Sequence, residues 1–156
     1  MKINVIVAFT QKNRVIGKDG HLIWHIPEDL TRFKTLTMNH FCVVGYNTFV
    51  FLPPLPNRHL IVLSKKHKIE KEGVFVATSR DEAIDIAMRH GQTELFCIGG
   101  QKIYECFLPI ANILYITEVL EEYEGDTFFP EFERDKYDII EETFSEKAVF
   151  KTYQKK

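Results

Sequence analysis

Asp29 is the residue whose surroundings call for a chemical explanation. It lies in GHLIWHIPEDLTRFK, Gly20 to Lys34, with Trp24 and Ile26 before it, Leu30 beside it and Phe33 a helical turn later. A carboxylate set among aromatic and aliphatic side chains has two readings. It is a first-turn helix acid that points outward and complements the helix dipole, or it is a single buried charge that holds and polarises something in a cleft. A second place for chemistry is IGGQKIY, where an apolar run ends in Gly99-Gly100 and Lys102 can add a positive charge. Glycines there let backbone approach a ligand, and a following helix offers free N–H groups to an anion. On the local pattern alone, a tight turn is the commoner meaning. Arg58, between PLPN and an apolar run, is either a surface charge or a planar fork for a carboxylate. The local pattern favours the surface.

Other chemistries find little support. His21 and His25 are four residues apart, but no glutamate of the metalloprotease type lies between them and Pro27 argues for a loop, so no metal is expected. No G-x-S-x-G nucleophile pattern is present, nor a GxGxxG or Walker A motif.

These residues need elements to hold them. Lys2 to Phe9 reads as a buried strand, followed by a loop from Thr10 to Ile26 of a length usually reserved for functional lids. Pro27 suits the first position of a helix that carries Glu28 and Asp29 at its positive end and runs to about Thr37. Asp29 and Phe33, four residues apart, then share a face. Phe41 to Gly45, Leu60 to Leu63, Val74 to Ala77, Leu95 to Ile98 and Ile113 to Val119 read as strands, with PPLPNR as a stiff turn. Ser79 and Glu82 form a capping-box pattern for a helix that Gly91 ends, and Lys102 to Leu108 is a second helix, stopped by Pro109. Tyr137 to Phe144 and Ala148 to Gln154 form an antiparallel hairpin. The expected fold is α/β: a mainly parallel central sheet with helices on both faces and a C-terminal antiparallel hairpin, in one domain over residues 1–156.

Composition agrees with one globular domain: 156 residues, 45% hydrophobic and 27% charged. A net charge of −2 gives no general pull on nucleic acid or an anionic membrane, and Lys65-Lys66-His67-Lys68 is too short for a nucleic-acid patch. Cys42, Cys97 and Cys106 are odd in number and form no CxxC pair, which suits a reducing compartment. No signal peptide or membrane span is read, so a soluble cytoplasmic protein is expected.

Taken in order, RVIGKDGHLIWHIPEDLTRFK, VVGYNTF, PLPNRHLIVLS, CIGGQKIYECFLP and LYITEVLEEYEGDTFFP resemble the successive motifs of dihydrofolate reductase, most closely the bacterial single-domain type. The resemblance runs from Ile3 to about Pro130, and the terminal hairpin suits it. It implies NADPH-dependent reduction of 7,8-dihydrofolate to 5,6,7,8-tetrahydrofolate, with hydride transfer to C6 and protonation at N5. It also implies a monomer that binds dihydrofolate and antifolate-type molecules, with no nucleic-acid or membrane partner. On this reading Asp29 is the one ionisable side chain of the pteridine pocket, and Trp24, Tyr104 and Leu22 join it as catalytic positions. Val7, Leu30, Phe33, Leu55, Ile98 and Thr117 would line the folate site, Thr117 orienting Asp29, and Arg58 would take the glutamate α-carboxylate. Phe9, Ile16, Gly17, Asn47, Thr48, Leu63, Ser64, Lys65, Gly99, Gly100, Gln101, Lys102 and Ile103 fall at cofactor-contacting positions. Asp126 matches an acid that organises the loop from Gly17 to Trp24. The chain departs from the pattern at Tyr46, where a phosphate-binding cation is common, and at Leu22 and Ile23 in the loop. The reductase domain of riboflavin synthesis shares this fold and cofactor mode, but it has less use for an acid in an apolar pterin pocket.

Overall fold

The computed structural model describes residues 1–18 and 23–156. The elements in chain order are β1 (Lys2–Thr10), β2 (Val15–Gly17), α1 (Pro27–Thr37), β3 (Phe41–Gly45), α2 (Tyr46–Phe49), β4 (His59–Leu63), β5 (Val74–Ala77), α3 (Arg80–Arg89), β6 (Glu94–Cys97), α4 (Gln101–Phe107), β7 (Ile113–Val119), β8 (Thr127–Phe128), β9 (Tyr137–Phe144) and β10 (Ala148–Lys155). Eight strands form one sheet in the order β5-β4-β3-β6-β1-β7-β10-β9. All neighbours from β5 to β7 are parallel, and β10 pairs antiparallel with both β7 and β9. The central strands read as unbroken apolar runs because both faces are covered.

Side-chain alternation along β1 sorts the two faces. Ile3, Val5, Val7 and Phe9 join a cluster with Ala83, Ile86 and Ala87 of α3 and Tyr104 and Phe107 of α4. Ile6 faces the other way, with Cys42, Leu60 and Phe96, and there Phe33 and Leu36 of α1 pack against it. Helices therefore cover both faces, as the sequence pattern predicts. A third cluster of Trp24, Ile26, Val119, Ala148 and Phe150 closes the end of the sheet near the start of α1.

Local chemistry explains the element ends. Pro27 opens α1, whose N-cap Ile26 is extended and offers no side-chain cap. Ser79 Oγ accepts from Glu82 N at 3.1 Å, while the Glu82 carboxylate accepts from Thr78 Oγ1 at 3.0 Å, so half of the expected capping box forms. Gly91 follows α3 at φ +75, a conformation that favours glycine. One expectation changes. The segment from Thr10 to Ile26 is not all loop, because β2 pairs antiparallel with β8. Three residues are too few to show a period, and their partner lies more than a hundred positions downstream. The single turn α2 is likewise too short to announce itself. Small end corrections place β6 at Glu94–Cys97 and α4 at Gln101–Phe107, after which a 3₁₀ turn over Leu108–Ile110 carries Pro109. Among the described residues no helix is long and apolar enough to cross a membrane.

Candidate active site

Asp29 is not spent on the helix end: Thr117 Oγ1, from β7, donates to Asp29 Oδ1 at 2.6 Å. Thr117 is itself buried, and it sits opposite Ala8 in the β1–β7 register. Burial pushes the Asp29 carboxyl up from its ordinary value, opposed by the Thr117 hydrogen bond and the Arg32 charge. Asp29 is therefore turned inward onto β7 and partly buried, rather than pointing outward as a first-turn helix acid.

Arg32 was missed in the sequence, although its spacing of three from Asp29 places it on the same helix face. Its Nη1 donates to Ile116 O at 3.2 Å and Thr117 Oγ1 at 3.4 Å, and its Nη2 to Lys151 O at 3.1 Å and Thr152 Oγ1 at 3.2 Å. The rings of Tyr115 and Phe150 lie 5.7 Å and 5.6 Å from the guanidinium carbon.

Of the folate-wall positions, Phe33, Leu55 and Ile98 belong to the cluster on the α1 face. Leu30, beside Asp29, stays 47% exposed. Val7 does not join them: its side chain belongs to the opposite face, with α3 and α4. Trp24 is buried against Tyr123, ring centroids 5.6 Å apart, and its Nε1 has no protein acceptor among the described residues. Leu22 and His21 lie outside the described residues.

Arg58 corrects an expectation. It is not a surface charge but 9% exposed. Its Nη1 donates to Thr37 Oγ1 at 3.4 Å, and Thr37 Oγ1 in turn donates to Phe33 O at 2.7 Å. Its Nε is buried without a protein acceptor among the described residues. The flanking PPLPNR segment gave no hint of this, because burial here comes from the end of α1 folding back over the start of β4.

The Gly99-Gly100 turn, which contains a cis peptide bond, knits the carboxyl ends of β3 and β6. Gly45 N donates to Gly99 O at 2.9 Å. A Cβ on Gly100 would lie 2.9 Å from Thr48 Oγ1, and one on Gly45 3.0 Å from Ile103 Cγ1, so a side chain at either position would have to displace its neighbour. Tyr104 is buried under the turn and its Oη donates to Ile6 O at 2.9 Å. Gln101 Oε1 accepts from Phe128 N at 2.9 Å, and Asp126 N donates to Gly17 O at 3.1 Å, which ties β2 and β8 to the same edge. Phe9 offers only main chain here, since its ring is buried and stacked on Phe129 at 5.3 Å. Leu63 and Ile16 are partly buried against the same cluster, while Asn47, Lys65 and Lys102 are exposed. Tyr46 lies flat on His67, ring centroids 3.5 Å apart at 5°, and His67 Nδ1 is 2.9 Å from Ser64 Oγ.

Fold and site together define an α/β protein with a mainly parallel sheet, a partly buried carboxylate on the α1 side of β7 and a glycine turn at the carboxyl ends of β3 and β6. The family model described as dihydrofolate reductase matches residues 2–155. Dihydrofolate reductase of Bacillus subtilis is 40% identical over 129 residues, covering 82% of this chain and 76% of that protein. Dihydrofolate reductase HdrB of Haloferax volcanii is 37% identical over 161 residues, covering 97% and 83%. The solved structure of Enterococcus faecalis dihydrofolate reductase complexed with NADP(H) and RAB-propyl matches with a TM-score of 0.87 at 33% identity, covering 99% of this chain and 96% of that one. The chain belongs to the dihydrofolate reductase family.

Proposed function

We propose that Asp29 is the polar centre at which this chain reduces dihydrofolate, in a single domain spanning residues 1–156. The enzyme is an NADPH-dependent dihydrofolate reductase that converts 7,8-dihydrofolate to 5,6,7,8-tetrahydrofolate. The observation that carries the role of Asp29 is its 2.6 Å hydrogen bond from buried Thr117 beside the apolar wall of Phe33, Leu55 and Ile98. Thr117 fixes one carboxylate oxygen and leaves the other for the 2-amino and N3 side of the pteridine. The negative charge raises the proton affinity of N5, while the apolar wall keeps bulk water from the reacting carbon. Trp24, with a buried indole N–H to give, holds a water on the proton's route. Tyr104 already donates its proton to Ile6 O, so it shapes the floor between pteridine and nicotinamide rather than supplying a proton. Arg58 has buried donor capacity to spare and takes the glutamate α-carboxylate.

The residues present fit NADPH. The Gly99-Gly100 turn packs so closely on Thr48 that a Cβ at Gly100 would displace its hydroxyl, and Ser64 and Lys65 follow β4 at the same sheet edge. Bound there, the dihydronicotinamide supplies the hydride. Asn47, Thr48, Ser64, Lys65 and Lys102 serve its phosphates, and Ile16, Gly17, Leu63, Gln101 and Ile103 its remaining length. A cytoplasmic monomer that binds folates and antifolate-type molecules, without nucleic-acid or membrane partners, completes the reading. The test is direct: purified protein mixed with NADPH and dihydrofolate must consume NADPH absorbance, with no loss when either is omitted. An absence of turnover by folded protein sinks the assignment.

A further inference from the structure

Arg32 is a partly buried cation whose four hydrogen bonds all go to neutral oxygens on two strands. A guanidinium has donors and no acceptor, and a threonine hydroxyl has one proton. Where Thr117 Oγ1 receives from Arg32, its own proton must go elsewhere, and it goes to Asp29 Oδ1. With Asp29 ionised, the order Arg32, Thr117, Asp29 therefore runs one way only. At 3.4 Å the Arg32–Thr117 contact is long, so its effect is to orient the hydroxyl and set the local field rather than to bind strongly.

Building on the role of Asp29 proposed above, we infer that Arg32 is a positioning residue for the reaction: it keeps the Thr117 hydroxyl aimed at Asp29 and maintains a positive charge behind the carboxylate. The charge is held by β7 and β10 and meets Thr117, the hydroxyl that contacts the carboxylate, so it supports the anion through that contact. The titratable groups around the pair are few. Asp29 and Arg32 come from α1, Tyr115 from β7, Tyr104 from α4 and Glu141 from β9. Lys151 of β10 gives its carbonyl to Arg32 and its ammonium to Glu118 and Glu142. Burial raises both tyrosines above their ordinary values, so they stay neutral near pH 7. Burial lowers Arg32, and Asp29, Glu141 and Tyr115 counter it. For Asp29 the sign is plain: Arg32 opposes the upward push of burial, so its loss moves Asp29 protonation to higher pH.

Two substitutions separate charge from geometry. Arg32→Gln keeps a donor and removes the charge, whereas Arg32→Lys keeps the charge and loses the fork. Steady-state kcat and KM, together with single-turnover hydride transfer, are followed across pH with NADPH and dihydrofolate, and the Asp29 carboxyl is titrated by ¹³C NMR in aspartate-labelled enzyme bound to NADP⁺. In Arg32→Gln the NMR midpoint and the matching limb of the rate profile move to higher pH. Its kcat at pH 7 falls by about tenfold, the scale of coupling within one hydrogen-bond network, while KM for dihydrofolate changes by less than about threefold. Arg32→Lys keeps the parent midpoint but loses part of kcat. If Arg32→Gln shows the parent midpoint and kcat and only a lower melting temperature, Arg32 is a structural staple and the inference is overturned. Should the glutamine variant not fold, Arg32→Lys decides, because a parent-like kcat there overturns it equally. Asp29→Asn run alongside keeps the two readings apart: if it is active, the role of Asp29 fails, and if it is inactive while Arg32→Gln behaves as the parent, only Arg32 fails.

Discussion

Asp29→Asn should push activity and stability in opposite directions. The asparagine Oδ1 can still accept from Thr117 Oγ1, which now reaches Asp29 Oδ1 at 2.6 Å, so packing and the hydrogen bond survive and only the charge is lost. A positioned group that governs proton transfer is worth ~10²–10⁴-fold in rate, or about 2.7–5.4 kcal/mol of barrier. Single-turnover hydride transfer at pH 7 should fall by that factor. The deficit should shrink as pH falls, because solvent then protonates N5 without help. Stability runs the other way. The folded-state pKa of Asp29 lies above the ordinary 3.8, with burial the largest cause. A carboxyl raised on folding binds its proton more tightly in the native state. Stability is therefore lost as pH rises from the unfolded toward the folded pKa, and the full cost persists above both. The Arg32 attraction is already contained in that net upward direction. Asparagine carries no such cost, so the variant should melt at a higher temperature than the parent at pH 7, and the two melting curves should converge as pH approaches 3.8. Thermal melts at pH 7 and near pH 4, read beside stopped-flow rates, supply both halves. A variant within about twofold of parental rate at pH 7 refutes the role of Asp29 in proton delivery. A variant that melts lower at pH 7 refutes the claim that the folded protein carries a charge it would shed.

Arg58→Leu should raise KM for dihydrofolate by about 10- to 150-fold, the equivalent of a charge-assisted hydrogen bond of ~1.5–3 kcal/mol. A pterin without the glutamate tail should be nearly unaffected, and equal effects on both substrates would mark Arg58 as a structural link to Thr37. Lys65→Ala should narrow the ratio of kcat/KM for NADPH over NADH, more so at low salt, and Tyr46→Arg, which breaks the stack on His67, should widen it. An unchanged ratio in Lys65→Ala places the 2′-phosphate elsewhere. Glu118 is 3% exposed and holds Lys151 Nζ at 3.1 Å and Gln11 Nε2 at 3.0 Å. Glu118→Ala should cost ~3 kcal/mol, the low end for a broken buried pair because Glu142 remains near Lys151. Differential scanning calorimetry should then show a Tm lower by about 6–12 °C, and a fall under about 2 °C would mean that the pair contributes little.

The sequence carries its most dependable information where periodicity or a single residue type forces the chain. Val5, Ile6 and Val7 are all apolar because β1 is covered on both faces, and Pro27 opens α1 because its missing N–H is no loss there. Asp29 is legible for the opposite reason: it breaks an apolar pattern. Arg58 and Val7 show what pattern cannot reach. The burial of Arg58 depends on Thr37, twenty-one positions away, and no local feature of PLPNR encodes it. The side-chain direction of Val7 is fixed by strand parity against Ala8 and Thr117, a relation that exists only once β1 and β7 are aligned. The pairing of β2 with β8 is hidden for the same reason.

Arg32 lies between these cases, and it explains how the fold tolerates its own site. An isolated carboxylate in an apolar cleft would protonate rather than remain charged, because desolvation opposes ionisation. A carboxylate partner bridged directly by arginine would stay charged but would be consumed, with both oxygens taken by the fork. The arrangement around Asp29 avoids both ends. The cation is displaced by one hydroxyl, so Asp29 feels a positive charge through Thr117 yet gives only Oδ1 to the protein among the contacts described. That displacement needs α1 to lie across β7 at a fixed height, and Arg32 itself sets the height through Ile116 O and Lys151 O. The residue that docks the helix thus also joins the Thr117 hydrogen bond in opposing the upward push of burial on Asp29, which is why a change at Arg32 should be visible in a titration and not only in a melting curve.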